Sequence, residues 1–162
     1  MKQRPILKIP LSNLDKVLEI SSFLLLLLLW IYVFIHVPSL PDAIPTHFGL
    51  NGKVDSFGSK YTIFALPILT TVMLAGLTFL NRYPHIFNYL TEITQENAFV
   101  QYQAAQQVIR ILKISLTLTF GFVTFAIISN TQGKMDGFSI WFLLPTLVLV
   151  LVPVLYFILT KK

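Results

Sequence analysis

The sequence contains no cysteine, so it can build no disulfide, no thiolate metal site and no cysteine nucleophile. Charge is almost as scarce: 12% of the 162 residues are charged, about half the ~25% usual in a soluble domain. Motifs of the HExxH or HxxxH kind, which put zinc ligands on one helical face, are missing too. The formal net charge of +5 would suit nucleic acid, but the basic residues flank apolar blocks instead of forming a patch, so no nucleic-acid partner is expected. What is present is apolar: 55% of the chain is hydrophobic, gathered into runs with neither a two-residue nor a 3.6-residue period. That pattern describes a polytopic membrane protein, with the lipid bilayer as its first partner.

The expected fold class is an all-α integral membrane protein, one membrane domain over residues 1–162, with four transmembrane helices at about 18–37, 61–80, 111–129 and 139–160. Each run of about twenty residues, at ~1.5 Å rise, matches a hydrocarbon core of ~30 Å. The first runs through six consecutive leucines into Trp30, Ile31 and Tyr32. It is longer than the hydrophobic part of a signal peptide and lacks a small-residue cleavage site, so it is expected to be retained. Ser12 or Asn13 would cap a short lead-in helix on the membrane surface. Pro67 and Gly76 interrupt the second span, where the hydroxyls of Thr70 and Thr71 can satisfy a carbonyl that the proline frees.

The inner connection, 81–110, is broken by Asn81-Arg82-Tyr83-Pro84-His85. Thr94 then reads as an N-cap with Glu96 in the first turn. From there the pattern meets no glycine or proline until Gly121, and one long helix is expected, its glutamine-rich start in the inner aqueous phase and its later part, 111–129, as the third span. Lys113, near the water, would snorkel. Glu96, Asn97 and Tyr102 are candidates for a docking face toward a cytoplasmic protein partner.

Orientation follows from the lysines and arginines. Lys2, Arg4, Lys8, Lys16, Arg82, Arg110, Lys113, Lys161 and Lys162 make nine on one side, against Lys53, Lys60 and Lys134 on the other. By the positive-inside rule both termini are cytoplasmic and the loop between helices 1 and 2, residues 38–60, faces outward.

That outer loop carries most of the candidate chemistry. Asn51-Gly52 between THFGL and KVDSF predicts a β-hairpin with a type I′ turn. In that register Phe48 faces Asp55 and His47 faces Ser56, so His47 and Asp55 point to opposite faces unless a bulge intervenes. His47, with His36, Asp42 or Asp55, is a candidate metal ligand or proton-transfer group; the plainer role is to tie down the loop by hydrogen bonds. Asp55 is expected as a loop-locking acceptor or a partner for Lys60. No cofactor is expected. Gly52-Lys53-Val54-Asp55-Ser56-Phe57 is echoed by Gly133-Lys134-Met135-Asp136-Gly137-Phe138. Two readings stay open, a parallel repeat of two hairpins or turn chemistry recurring by chance.

Ile44-Pro45-Thr46-His47-Phe48, then Gly52, Asp55, Gly58-Ser59-Lys60 and Leu66-Pro67, resemble the signature of an uncharacterised bacterial membrane domain. That domain also forms the N-terminal part of SdpI-type immunity proteins. Asn81-Arg82-Tyr83-Pro84-His85-Ile86-Phe87-Asn88-Tyr89 with Glu96-Asn97-Ala98 and Gln101-Tyr102 is similar to four-helix members of the same group. The resemblance implies a multi-pass protein of the bacterial inner membrane. It also implies a ligand-binding or loop-organising set of Pro45, Thr46, His47, Phe48, Gly52, Asp55, Gly58, Ser59 and Lys60. The expected function is binding or sensing of a peptide or small molecule at the outer face, in the manner of immunity or signalling proteins. A membrane enzyme or metal-dependent site centred on His47 is the alternative, and a transporter or a channel built as a homo-oligomer ranks behind it.

Overall fold

The computed structural model describes residues 4–49 and 51–137, with Val148, Leu151 and Leu155 as isolated positions. Apart from those three, the fourth span expected at 139–160 lies outside the described residues.

Helix α1 (Asn13–His36) opens on a capping box: Ser12 Oγ accepts from the Asp15 amide at 3.1 Å, and the Asp15 carboxylate accepts from the Ser12 amide at 2.9 Å. Ser12 thus caps the first span itself, and no separate lead-in helix precedes it among the described residues. A 3₁₀ turn at Val37–Ser39 leads to an antiparallel hairpin, β1 (Ala43–Phe48) and β2 (Val54–Ser59). A second 3₁₀ turn, Lys60–Phe64, runs into α2 (Ala65–Leu80). Pro67 is the third residue of α2, where an amide would lack an intrahelical partner anyway, so it does not break the span. The Thr70 and Thr71 hydroxyls bond back to the carbonyls of Leu66 and Pro67.

Helix α3 (Ala98–Thr131) is 34 residues long, roughly 50 Å at ~1.5 Å per residue, so part of it must leave a hydrocarbon core of ~30 Å. It starts four residues later than Thr94. Asn97 Oδ1 accepts from the Thr94 amide at 2.9 Å and its Nδ2 donates to the Glu92 carbonyl, which holds a turn ahead of the helix. Its C-terminus is a Schellman motif, with Lys134 N–H on Ser129 O, Gly133 N–H on Asn130 O, and Gly133 at φ +69°.

Asn13–Ser39, Lys60–Leu80 and Ala98–Thr131 are each long and apolar enough to cross a membrane. Their outward faces carry exposed Leu24, Leu27, Leu28, Ile31, Phe34, Leu69 and Val72, a surface suited to lipid and costly in water. Helix α3 packs against α1 and α2 and touches β1. One apolar core, Leu29, Val33, Val37, Leu40, Ile44, Ile63 and Ile128, runs from the spans into the hairpin. A second, Ile93, Ala98 and Tyr102 with Ile9 and Tyr89, lies at the opposite end of the bundle. The fold is therefore mostly helical but not all-α, because the loop after α1 is a sheet.

Candidate functional site

The hairpin is fixed at three places. Ile44 is buried in the apolar core. At the open end the Lys60 amide donates to Asp42 O at 2.9 Å, and Lys60 Nζ lies 3.1 Å from the Asp42 carboxylate. Lys60 therefore pairs with Asp42, not with Asp55. Ser59 caps the following 3₁₀ turn, and Gly58 faces Ile44 with no room for a side chain, since a Cβ would lie 2.9 Å from Thr46 Cγ2. At the tip Gly49 N–H bonds Lys53 O and Gly52 N–H bonds Gly49 O, with Gly52 at φ +76°.

No described non-glycine residue has positive φ, which rules out the expected type I′ turn at Asn51-Gly52. The connection has three residues, with glycine in the left-handed position. Asn51 Oδ1 accepts from the Lys53 amide and so shapes the turn as an Asx residue does.

The extra loop residue and two irregularities, between Pro45 and His47 and between His47 and Phe48, change the faces. His47 still lies opposite Ser56, but Phe48 lies opposite Val54 instead of Asp55. His47 Nδ1 then reaches Asp55 Oδ1 at 2.6 Å. The expectation that these side chains diverge is corrected; a bulged strand no longer alternates strictly. A carboxylate only accepts, so Nδ1 carries the proton and Nε2 is the basic nitrogen. Both side chains are more than half exposed or close to it, at 68% and 50%.

Beneath the hairpin lies an apolar cleft of about 510 Å³. Pro45, Thr46, His47 and Phe48 form its upper wall, and Thr62, Leu66, Val123 and Ile127 its lower one. The tip also touches the loop that follows α3: a Cβ on Gly137 would come within 2.5 Å of Gly52 O.

The four metal candidates are not brought together. His36 Nδ1 donates to Tyr32 O at 2.8 Å, Asp42 holds Lys60, and His47 holds Asp55. No group of three or more possible ligands forms among the described residues. The echoed loops also differ locally, since Gly52 turns a hairpin whereas Gly133 ends a helix; the shared glycines serve turn chemistry. The docking-face candidates Glu96, Asn97 and Tyr102 differ in exposure. Glu96 is exposed, but the Asn97 side chain is spent on the turn, and Tyr102 is buried with its hydroxyl on Pro5 O at 3.0 Å.

Sequence reasoning missed a cluster at the end of the bundle away from the hairpin. Arg110 Nη1 lies 3.0 Å from Asp15 Oδ1. Lys113 Nζ contacts Glu19 Oε1 at 2.5 Å and Thr78 Oγ1 at 3.0 Å. Lys113 is fully buried, so it points into the bundle and does not snorkel. The signal was available: Asp15 and Glu19 are four apart on one helix, Arg110 and Lys113 three apart on another, so each pair shares a face.

Residues 24–71, which hold the second half of α1, the hairpin and the start of α2, match a domain of unknown function, DUF1648. An uncharacterized protein of Archaeoglobus fulgidus is 30% identical over 128 residues, covering 70% of this chain and 69% of its own. The chain belongs to the DUF1648 family. No solved structure matches it. The DUF1648 match contains all of the hairpin and the lower lip of the cleft at Thr62 and Leu66, so the family's shared segment includes most of the candidate site.

Proposed function

We propose that this DUF1648 protein is a four-span protein of the bacterial inner membrane, with cytoplasmic termini and an outward hairpin, whose cleft binds an apolar stretch of a peptide at the outer surface. The observation that carries this is the cleft: an apolar cavity of about 510 Å³ under a clamped hairpin, lined in part by His47, which Asp55 holds. Sites of this kind take apolar groups into the cavity and use a few polar groups at the edge to orient them. The resemblance to SdpI-type immunity proteins supports a sensing or immunity role for the bound state.

The absence of cysteine makes the test clean. A single cysteine at Thr62, labelled with an environment-sensitive fluorophore, is titrated with a panel of short synthetic amphipathic peptides. A saturable blue shift that is lost when Val123→Trp fills the cleft is expected. The same shift in Val123→Trp, or none with any peptide, overturns the proposal.

One observation favours a second function. Asp55 holds His47 through Nδ1, which leaves Nε2 as the nitrogen that can act as a general base, as in a hydrolase dyad. Turnover of a fluorogenic ester that disappears in His47→Gln would favour the enzyme.

A further inference from the structure

The end of the bundle opposite the hairpin holds a second cavity of about 340 Å³, between the segment before α1, the end of α2 and the first half of α3. Its lining combines buried polar groups with free surface charge. Asn81 is 7% exposed, yet its Oδ1 has no hydrogen-bond partner among the described residues, whereas Arg110 Nε faces Glu19 Oε2 at 3.7 Å. The Asn81 amide cannot simply be turned over, because Nδ2 donates to Gln106 O at 3.4 Å and a flip would set two acceptors against each other. Orphaned buried polar atoms are costly and call for an unseen partner.

The charges point the same way. Asp15, Glu19, Arg110 and Lys113 neutralise one another by ion pairs. Glu19 lines the cavity, but Lys113 and Arg110 hold its carboxylate. Lys8 and Arg82, also in the lining, are exposed and have no carboxylate within ion-pair distance among the described residues. The site therefore offers surplus positive charge and one buried acceptor without a partner, Asn81 Oδ1. Ile6 and Leu11, exposed by 79% and 49%, flank it on the segment before α1 and would lie among acyl chains.

We infer that this cavity binds the headgroup of an anionic glycerophospholipid bearing free hydroxyls, such as phosphatidylglycerol. The phosphate faces Lys8 and Arg82; a headgroup hydroxyl donates to Asn81 Oδ1. Basic pockets between membrane helices are established sites for such headgroups, and a volume of about 340 Å³ suits a headgroup while the chains stay in the bilayer. The site is independent of the outer cleft and of whatever binds there.

The full-length protein in nanodiscs of phosphatidylcholine, doped with spin-labelled phosphatidylglycerol or spin-labelled phosphatidylcholine, reads the preference as the motionally restricted fraction. Wild type should retain phosphatidylglycerol preferentially. Each surface cation removed should weaken the preference roughly fivefold, so Lys8→Gln/Arg82→Gln should abolish most of it. Neither change touches the buried cluster, and circular dichroism should show the same helix content. Asn81→Leu should erase discrimination between phosphatidylglycerol and phosphatidic acid, whose headgroup has no glycerol hydroxyls. Equal retention of both labelled lipids by wild type overturns the inference, as does an unchanged preference in the double variant. Displacement of the labelled lipid by millimolar inorganic phosphate alone would show a soluble-anion site instead.

Discussion

Lys113 and Glu19 meet across the α1–α3 contact, the ammonium fully buried and 2.5 Å from the carboxylate. The two residues are unequal partners. Glu19 also faces Arg110 Nε at 3.7 Å, whereas Lys113 has, among the described residues, only Thr78 and the Phe23 ring besides. Breaking a buried pair costs about 3–5 kcal/mol because one charge is left uncompensated. Glu19→Gln should therefore fall at or above that range and Lys113→Met near its lower end. The double variant should be less damaging than the sum of the two. Unfolding in mild detergent by thermal or denaturant titration measures all three, and strict additivity would show that the contact carries no coupling.

Orientation can be tested on the same cysteine-free background. Ser56 on β2 and Gln95 before α3 are both exposed but lie at opposite ends of the bundle. A cysteine at Ser56 should react with an impermeant thiol reagent added to intact cells, and one at Gln95 should react only after lysis. The reversed pattern would place the hairpin in the cytoplasm.

Gly137 and Gly133 should differ in their response to alanine. Both have positive φ, +87° and +69°, so each pays about 1–2 kcal/mol of backbone strain. At Gly133 the new methyl meets open space; at Gly137 it would lie 2.5 Å from the Gly52 carbonyl. Gly137→Ala should thus push the hairpin tip away as well. Spin labels on Ser56 and Thr131 would report the movement as a longer or broader distance distribution. Gly133→Ala should leave that distribution unchanged.

His47→Gln should hardly change stability, because an ion pair this exposed contributes about 0–1 kcal/mol. Much of any ligand binding should survive if the histidine only ties Asp55 to β1, since glutamine keeps a donor and an acceptor. Elemental analysis of purified wild type and variant separates out a metal role. A stoichiometric ion present in wild type and lost in His47→Gln would establish a metal site that the described ligand geometry does not assemble.

Composition and run length alone picked out the three described helices that are long and apolar enough to cross a membrane, because hydrocarbon thickness translates directly into a count of apolar residues. The hairpin's existence and the pairing of His47 with Ser56 were likewise legible, since Asn-Gly between two alternating strands is a local signal. The turn type and the His47–Asp55 contact were not. One extra loop residue and the neighbouring bulges reverse a side chain's face, and strict alternation cannot see that. The start of α3 moved from Thr94 to Ala98 because the Asn97 side chain closes a turn first. Tyr102, a docking-face candidate in the sequence, is buried because the segment before α1 folds back across it and supplies the Pro5 carbonyl. Tertiary structure alone decided the fate of Lys113. A lysine near the end of an apolar run snorkels when lipid surrounds it, but here α1 presents Glu19 and α2 presents Thr78 to the same point, and inside the bundle those partners outweigh the nearby water.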